Sequence, residues 1–136
     1  SLEEEVRRYL DERRLLTTAL SVEAPRYIWV SAQVHVEVSP HLDAVSVGET
    51  IERRLYRFLN PLYGGPDGEG WPFGRDLFIA DIYALVDGVE GVEYVADAKV
   101  YPVNLEAGQV GDHVTRLKVP PEGLICSYRH LVVPHD

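Results

Sequence analysis

The chain has 136 residues, of which 46% are apolar, and its 13 basic and 22 acidic residues give a formal net charge of -9. A single domain of this size buries roughly two-thirds of its unfolded surface, so it needs neither a disulfide nor a structural metal for stability. The acidic balance argues against nucleic acid and anionic membrane as partners, because both bind mainly through positive charge. No apolar run approaches the roughly 18 residues of a membrane span, which predicts a soluble chain.

Two features of the composition concern the origin of the chain. It contains no methionine and begins with Ser1, so we expect it to be an excised domain of a longer polypeptide. Cys126 is its only cysteine, which excludes an intrachain disulfide and a cysteine-based zinc site. We interpret Cys126 as a small buried residue of a strand.

The N-terminal residues 1–16 predict a helix, because a thin apolar stripe recurs every three to four residues beside Glu–Arg pairs. Its largely polar surround indicates a connector rather than a core element. Residues 17–136 are predicted to form one α+β domain. Within it, residues 17–24 alternate weakly, and residues 27–38 alternate strongly between apolar side chains on one face and polar or aromatic side chains on the other. Both segments predict strands.

Two helices and then three extended segments are predicted in the rest of the chain. Asp43 is the expected N-cap of an amphipathic helix that ends before Pro61, and a second, short helix ends at Gly88. Extended segments are predicted over residues 91–101, 113–119 and 124–133. This order predicts an antiparallel sheet of about four to five strands with two main helices on one face, a ferredoxin-like sandwich.

Residues 60–75 separate the two helices, and we call them the glycine loop. The sequence NPLYGGPDGEGWPFGR holds five glycines and three prolines in sixteen residues. Loops of this length in compact domains are usually functional or disordered. Tyr63, Trp71 and Phe73 argue against disorder, so we expect an ordered loop.

No pattern of catalytic or metal-ligating residues emerges. The five histidines have no spacing that places two ligands on one helix face, and we expect them to be solvated or hydrogen-bonded. A pair across the sheet between His35 and His130 is a minor alternative. The glycine loop lacks the lysine and hydroxyl residue of a phosphate-binding loop. We therefore expect no enzyme activity, no cofactor and no metal.

Aromatic residues and arginine give the candidate site. Tyr27 and Trp29 lie on the outward face of the strongest predicted strand, and Trp71, Phe73 and Arg75 lie in the glycine loop. These residue types are enriched at protein interfaces and their hot spots. We predict that these five residues form a partner interface. For Trp71, packing as a lid over the core is an equally weighted alternative.

Four sequence runs resemble a known family. They are RYLDERRLLTT (8–18), APRY (24–27), RRLYRFLNPLYGGPDGEGWPFGR (53–75) and DIYALVDGVEGVEYV (81–95). Together they are similar to the C-terminal part of baseplate J-like proteins, the wedge components of contractile phage tails and related injection systems. The resemblance covers roughly residues 8–130. Ala80 departs from it, because a Ser- or Thr-like helix cap is expected there.

The resemblance implies a structural role without catalysis, in which the parent protein joins other wedge subunits and copies of itself around the tail tube. Assembly would take place in the cytoplasm, before the protein becomes part of a phage tail or injection-system baseplate. The isolated fragment would be a monomer or a weak oligomer. Two alternatives stay open: a small-ligand enzyme or binding domain with the glycine loop as a pocket lid, and a bacterial adaptor module unrelated to tails.

Overall fold

A computed structural model describes residues 26–135 of the chain. The predicted connector helix (1–16) and first strand (17–24) lie outside these described residues. The elements in chain order are β1 (Arg26–Val38), α1 (Ala44–Phe58), β2 (Leu77–Phe78), α2 (Ile79–Asp87), β3 (Val92–Asn104), β4 (Gln109–Val110), β5 (Arg116–Leu117), β6 (Gly123–Ser127) and β7 (Leu131–His135). The fold class is α+β. Neither α1 nor α2 is long and apolar enough to cross a membrane.

The main sheet has five strands and is centred on β1. Strand β3 pairs antiparallel with one edge of β1 and carries β4 beyond it. The other edge of β1 pairs in parallel with β6 along its first half and with β7 along its second half. The expected all-antiparallel sheet is therefore wrong: the sheet is mixed, and the ferredoxin-like sandwich that assumed antiparallel strands is not confirmed.

The period-two pattern of β1 correctly predicts which of its faces is buried. Val30, Ala32, Val34, Val36 and Val38 are buried, and the residues between them are half-exposed. Both helices contribute apolar side chains to the same core cluster. The buried core residues from the two helices and the segment after α1 are Val47, Ile51, Leu55, Leu59, Ile82 and Val86.

Carboxylates cap both helices. Asp43 is the N-cap of α1, as predicted, and accepts hydrogen bonds from the Val45 backbone N–H (3.3 Å) and the Ser46 hydroxyl (2.8 Å). Helix α2 begins at Ile79, where the Asp81 carboxylate accepts from the Phe78 N–H at 2.9 Å. That reverse cap serves the start of α2 without a hydroxyl residue at position 80.

A two-stranded sheet of β2 and β5 lies beside α2. Asp76, just before β2, accepts hydrogen bonds from the Val119 N–H and from Nε of Arg116, each at 2.8 Å. The Val119 hydrogen bond, followed by that from Arg116, lowers the pKa of Asp76. The carboxylate thus links the start of β2 to β5 and to the residues that follow it. The predicted strand over residues 113–119 is shortened here to Arg116–Leu117.

Candidate functional site

The glycine loop is held by its own backbone hydrogen bonds. The N–H of Gly65 donates to the Phe58 carbonyl at the end of α1 (2.8 Å), and the N–H of Gly70 donates to the Gly64 carbonyl (2.9 Å). The side-chain oxygen of Asn60 accepts from the N–H groups of Leu62 (2.8 Å) and Tyr63 (3.2 Å). These bonds fold the loop back on the end of α1, as expected for an ordered loop.

Gly64 is needed for this close approach of backbone to backbone. A Cβ atom at Gly64 would lie 2.2 Å from the Phe58 carbonyl oxygen and 2.5 Å from that of Asn60. Both neighbours are backbone atoms, so no side chain can rotate away. Gly70 combines a similar approach, 2.9 Å from the Pro61 carbonyl oxygen, with a φ of +120° that L side chains rarely adopt.

Trp71 forms the inner side of the loop, and it is only 2% exposed. Its ring meets Phe58 edge-on, with centroids 5.4 Å apart and an interplanar angle of 84°. Its Nε1–H donates to the Arg75 carbonyl at 2.9 Å, so the one polar atom of the side chain is satisfied. Trp71 thus packs inward, which was the alternative given for it, and its ring is not part of the surface of this chain.

Arg75 ties the loop to α2. Its guanidinium lies 5.8 Å from the centroid of the Trp71 ring and 3.5 Å from the Asp81 carboxylate that caps α2. The Arg75 side chain is 38% exposed, so the ion pair contributes little to stability. The guanidinium thus contacts both the glycine loop, through Trp71, and α2, through Asp81.

Three apolar side chains form the outer side of the loop. Phe73 is 63% exposed, Tyr63 50% and Leu62 43%. We call these three residues the loop surface. Backbone hydrogen bonds of Gly64 and Gly65 hold the part of the loop next to Leu62 and Tyr63. The buried Trp71 anchors the part next to Phe73. A rigid, partly aromatic exposed patch is the type of surface that partners bind.

The loop and the start of β1 meet at one end of the sheet. The N–H of Gly74 donates to the Gly123 carbonyl at 3.1 Å, and that of Arg26 donates to the Glu122 carbonyl at 3.0 Å. Tyr27 pairs with Leu124 one residue further along, and Trp29 follows on the same face, both half-buried. The fold thus brings the glycine loop and the start of β1 to the same end of the sheet, where Tyr27 packs partly against the core cluster and does not lie on a free outward face.

His130 occupies a break between β6 and β7 that the sequence does not predict. The segment 124–133 is predicted as one strand, but pairing with β1 stops after Ser127 and resumes at Leu131. In the gap, the backbone N–H of Ala32 donates to Nδ1 of His130 at 2.9 Å, and the imidazole is 7% exposed. Nδ1 of His130 therefore accepts the hydrogen bond that a backbone carbonyl of a continuous strand would accept.

His35 pairs across the sheet with His135, and not with His130 as in the alternative given from the sequence. His130 is buried in the break, whereas Nδ1 of His35 lies 3.3 Å from Nε2 of His135 on β7. Their rings are nearly parallel, with an interplanar angle of 13°. The strand pairing explains this contact, because His35 faces Val133 and His135 follows two residues later on the same face.

Ser127 and His130 are in contact but are oriented against nucleophilic catalysis. Nε2 of His130 lies 2.7 Å from the Ser127 hydroxyl, and that hydroxyl donates to the Leu59 carbonyl at 2.9 Å. Since Nδ1 already accepts from Ala32, Nε2 carries the proton and donates to the serine. A general base needs the opposite arrangement, with Nε2 accepting from the hydroxyl. The chain of bonds is structural and links β1, β6 and the end of α1.

Burial lowers the pKa of His130 to about 3 from its ordinary value of 6.5, and this predicts a pH-dependent stability. Below pH 6.5 the unfolded imidazole takes up a proton that the folded one does not. The free energy of unfolding should therefore fall by about 1.4 kcal/mol per pH unit as the pH drops from about 6.5 towards 3. Above pH 6.5 the contribution of His130 to this free energy should be constant.

Urea unfolding of the chain between pH 7 and pH 4.5 measures this slope. His130→Asn retains a side-chain oxygen that accepts a hydrogen bond but does not titrate in this range, so its slope should be smaller by one proton. Equal slopes for wild type and His130→Asn would show that His130 titrates alike in both states.

Within residues 26–135, no group of three or more His, Cys, Asp or Glu side chains is placed to hold a metal ion. Cys126 is buried, as its sequence context predicts.

A comparison with protein-family models found no match, and a comparison with curated proteins found none either. The burial of Trp71 is one of the two alternatives that the sequence leaves open, whereas the exposure of Leu62 was not predicted, because it follows from how the loop folds back on α1.

Proposed function

We propose that this domain is a structural module that joins protein subunits, and that the loop surface (Leu62, Tyr63 and Phe73) contacts a neighbouring subunit. The observation that carries the proposal is the combination of a loop pinned by a buried tryptophan with three exposed apolar side chains on its outer side. Because such a loop loses little conformational freedom on binding, its aromatic side chains can contribute to affinity without a large ordering cost.

The assembly that we propose is the baseplate of a contractile phage tail or injection system, as a wedge component that forms in the cytoplasm. Support comes from the resemblance of residues 8–130 to baseplate J-like proteins, in which the run NPLYGGPDGEGWPFGR is prominent. In the structure this run is an ordered loop with an apolar outer surface, which suits a contact between subunits. The partners would be other wedge subunits and copies of the parent protein.

The proposal predicts that a polar substitution on the loop surface blocks assembly without unfolding the domain. Phe73→Ser should lose co-purification with the baseplate subunits encoded by neighbouring genes, because it removes the most exposed of the three side chains of the loop surface. Val45→Ser is the matched control, since Val45 on α1 is exposed to the same 63% as Phe73. The measurement is the amount of each neighbouring subunit recovered, with circular dichroism of each variant as a test of folding.

Recovery of the subunits by Phe73→Ser at the wild-type level would contradict a role for the loop surface. Equal loss in Phe73→Ser and Val45→Ser would show a general sensitivity to surface substitution and would also count against it. Failure of the wild-type protein to recover any neighbouring baseplate subunit would overturn the assignment to a baseplate.

A further inference from the structure

Three arginines lie unpaired on the C-terminal half of α1. Arg53, Arg54 and Arg57 are exposed, and none has a carboxylate within 4.0 Å in the part of the chain that the structure describes. The one hydrogen bond of the cluster to a side chain runs from Arg53 to the Thr50 hydroxyl, at 3.2 Å. Within a chain whose net charge is -9, this is a local concentration of positive charge that no carboxylate of residues 26–135 neutralises by an ion pair.

Helix stability does not account for this cluster. Arg53 and Arg57 are four residues apart, a spacing at which like charges destabilise a helix. The helix dipole favours a cation in the last turn, which explains Arg57 but neither of the other two. Glu49 lies four residues before Arg53, a favourable spacing, but the described structure forms no salt bridge between their side chains, so all three guanidinium groups are available to a partner.

The cluster borders two open concavities of about 480 and 580 Å³. Both are lined by Arg57 and Tyr63. The first is also lined by Arg54, Phe58, Leu85 and residues 64–68 of the glycine loop, and the second by Arg53 and Tyr56. We call the arginines Arg53, Arg54 and Arg57 with Tyr56 and Tyr63 the arginine groove. Asp67 is the carboxylate among its lining residues. Tyr63 also belongs to the loop surface, so the groove and that surface are continuous.

We propose that the arginine groove binds a carboxylate-rich segment of a partner polypeptide. Guanidinium groups bind carboxylates with paired, charge-assisted hydrogen bonds, and three of them along one helix suit successive Asp or Glu side chains. The groove is open and consists of two adjoining concavities, which fits an extended segment better than an enclosed small anion. The net charge of -9 repels a phosphate backbone and a carboxylate-rich segment alike, so the choice of a polypeptide follows from the continuity of the groove with the exposed apolar loop surface.

The inference rests on the proposed function only in taking the partner to be a subunit of the same assembly. Binding itself can be tested on the chain alone. We expect a fluorescein-labelled octaglutamate peptide to bind the wild-type chain at about 50 mM salt and to weaken as the salt rises, because screening acts on exposed charges. An octaglutamine peptide with the same label should not bind.

Substitution of the groove arginines identifies the site. Arg53→Gln/Arg57→Gln should weaken octaglutamate binding by about tenfold or more, since it removes two of the three charges. Lys118→Gln/Arg129→Gln removes the same two charges at exposed positions outside the groove and should bind as wild type does. Equal weakening in both double variants would show attraction by overall charge and would overturn the proposal, as would no binding by the wild-type chain.

Other occupants give different results. Inorganic phosphate that displaces the peptide as well as free octaglutamate does would identify a small-anion site and overturn the proposal. Sedimentation that shows a dimer of the wild-type chain and a monomer of Arg53→Gln/Arg57→Gln would assign the groove to a second copy, which also overturns it. Phe73→Ser should bind octaglutamate normally. If peptide binding fails while recovery of subunits still depends on Phe73, this inference falls and the proposed function stands.

Discussion

Replacing Trp71 by alanine is expected to lower the free energy of unfolding by about 3–5 kcal/mol, the usual cost of removing a buried large aromatic side chain. The ring is 2% exposed and packs edge-on against Phe58, so its loss leaves a cavity between the loop and α1. The substitution also removes the hydrogen bond to the Arg75 carbonyl and leaves that carbonyl without its indole donor. Urea unfolding at pH 7 measures the change.

Phe73→Ala is the matched control, two residues along the same loop. Because Phe73 is 63% exposed, its truncation should change the free energy of unfolding by no more than about 0.5 kcal/mol. A small effect at Trp71, or an equal effect at both positions, would contradict the inward packing of Trp71. One consequence concerns assembly experiments: loss of assembly in Trp71→Ala would not identify an interface, since that variant is expected to be unstable.

Gly64→Ala should have the second large effect, a loss of about 3 kcal/mol or more. The added methyl group would lie 2.2 Å from the Phe58 carbonyl oxygen, which is shorter than any contact a real Cβ makes. Relief of the clash requires the loop to move away from the end of α1 and to break the Gly64 and Gly65 hydrogen bonds. Urea unfolding measures the loss, and the tryptophan fluorescence, to which Trp71 and Trp29 both contribute, should shift to longer wavelength if the loop moves away from α1 and exposes Trp71.

Gly68→Ala separates this clash from a general intolerance of the loop. A Cβ at Gly68 meets no atom within 4 Å, so only its φ of +71° opposes a side chain. The cost should be about 1 kcal/mol, the strain of a left-handed residue. Gly64→Ala and Gly68→Ala variants of equal stability would show that backbone crowding does not position the loop.

Local patterns in the sequence predicted the parts of the fold that depend on one element at a time. Alternation along β1 predicted its buried valines, and Asp43 predicted the start of α1. The direction of the strands was not predictable in this way. A strand with one polar face suggested an antiparallel sheet, yet β1 has an antiparallel neighbour on one edge and parallel neighbours on the other. The continuous apolar run Leu-Ile-Cys in β6 was the available signal for a parallel strand.

The candidate site was predictable as a region but not residue by residue. Composition identified the glycine loop, whereas the division into a buried Trp71 and an exposed Phe73 depends on contacts with α1 that sequence spacing does not encode. His130 shows the same limit. It interrupts a predicted strand of ten residues, and its role follows from an Ala32 N–H that no strand partner satisfies.

The most direct test of the loop surface is a structure of the proposed assembly that contains this chain, in which the accessible area of Phe73 and Tyr63 is measured with and without the neighbouring subunits. We predict that both side chains become buried by another polypeptide, while Trp71 keeps its contact with Phe58. An assembled complex in which Phe73 and Tyr63 remain open to solvent would contradict the claim that the glycine loop joins this domain to a partner.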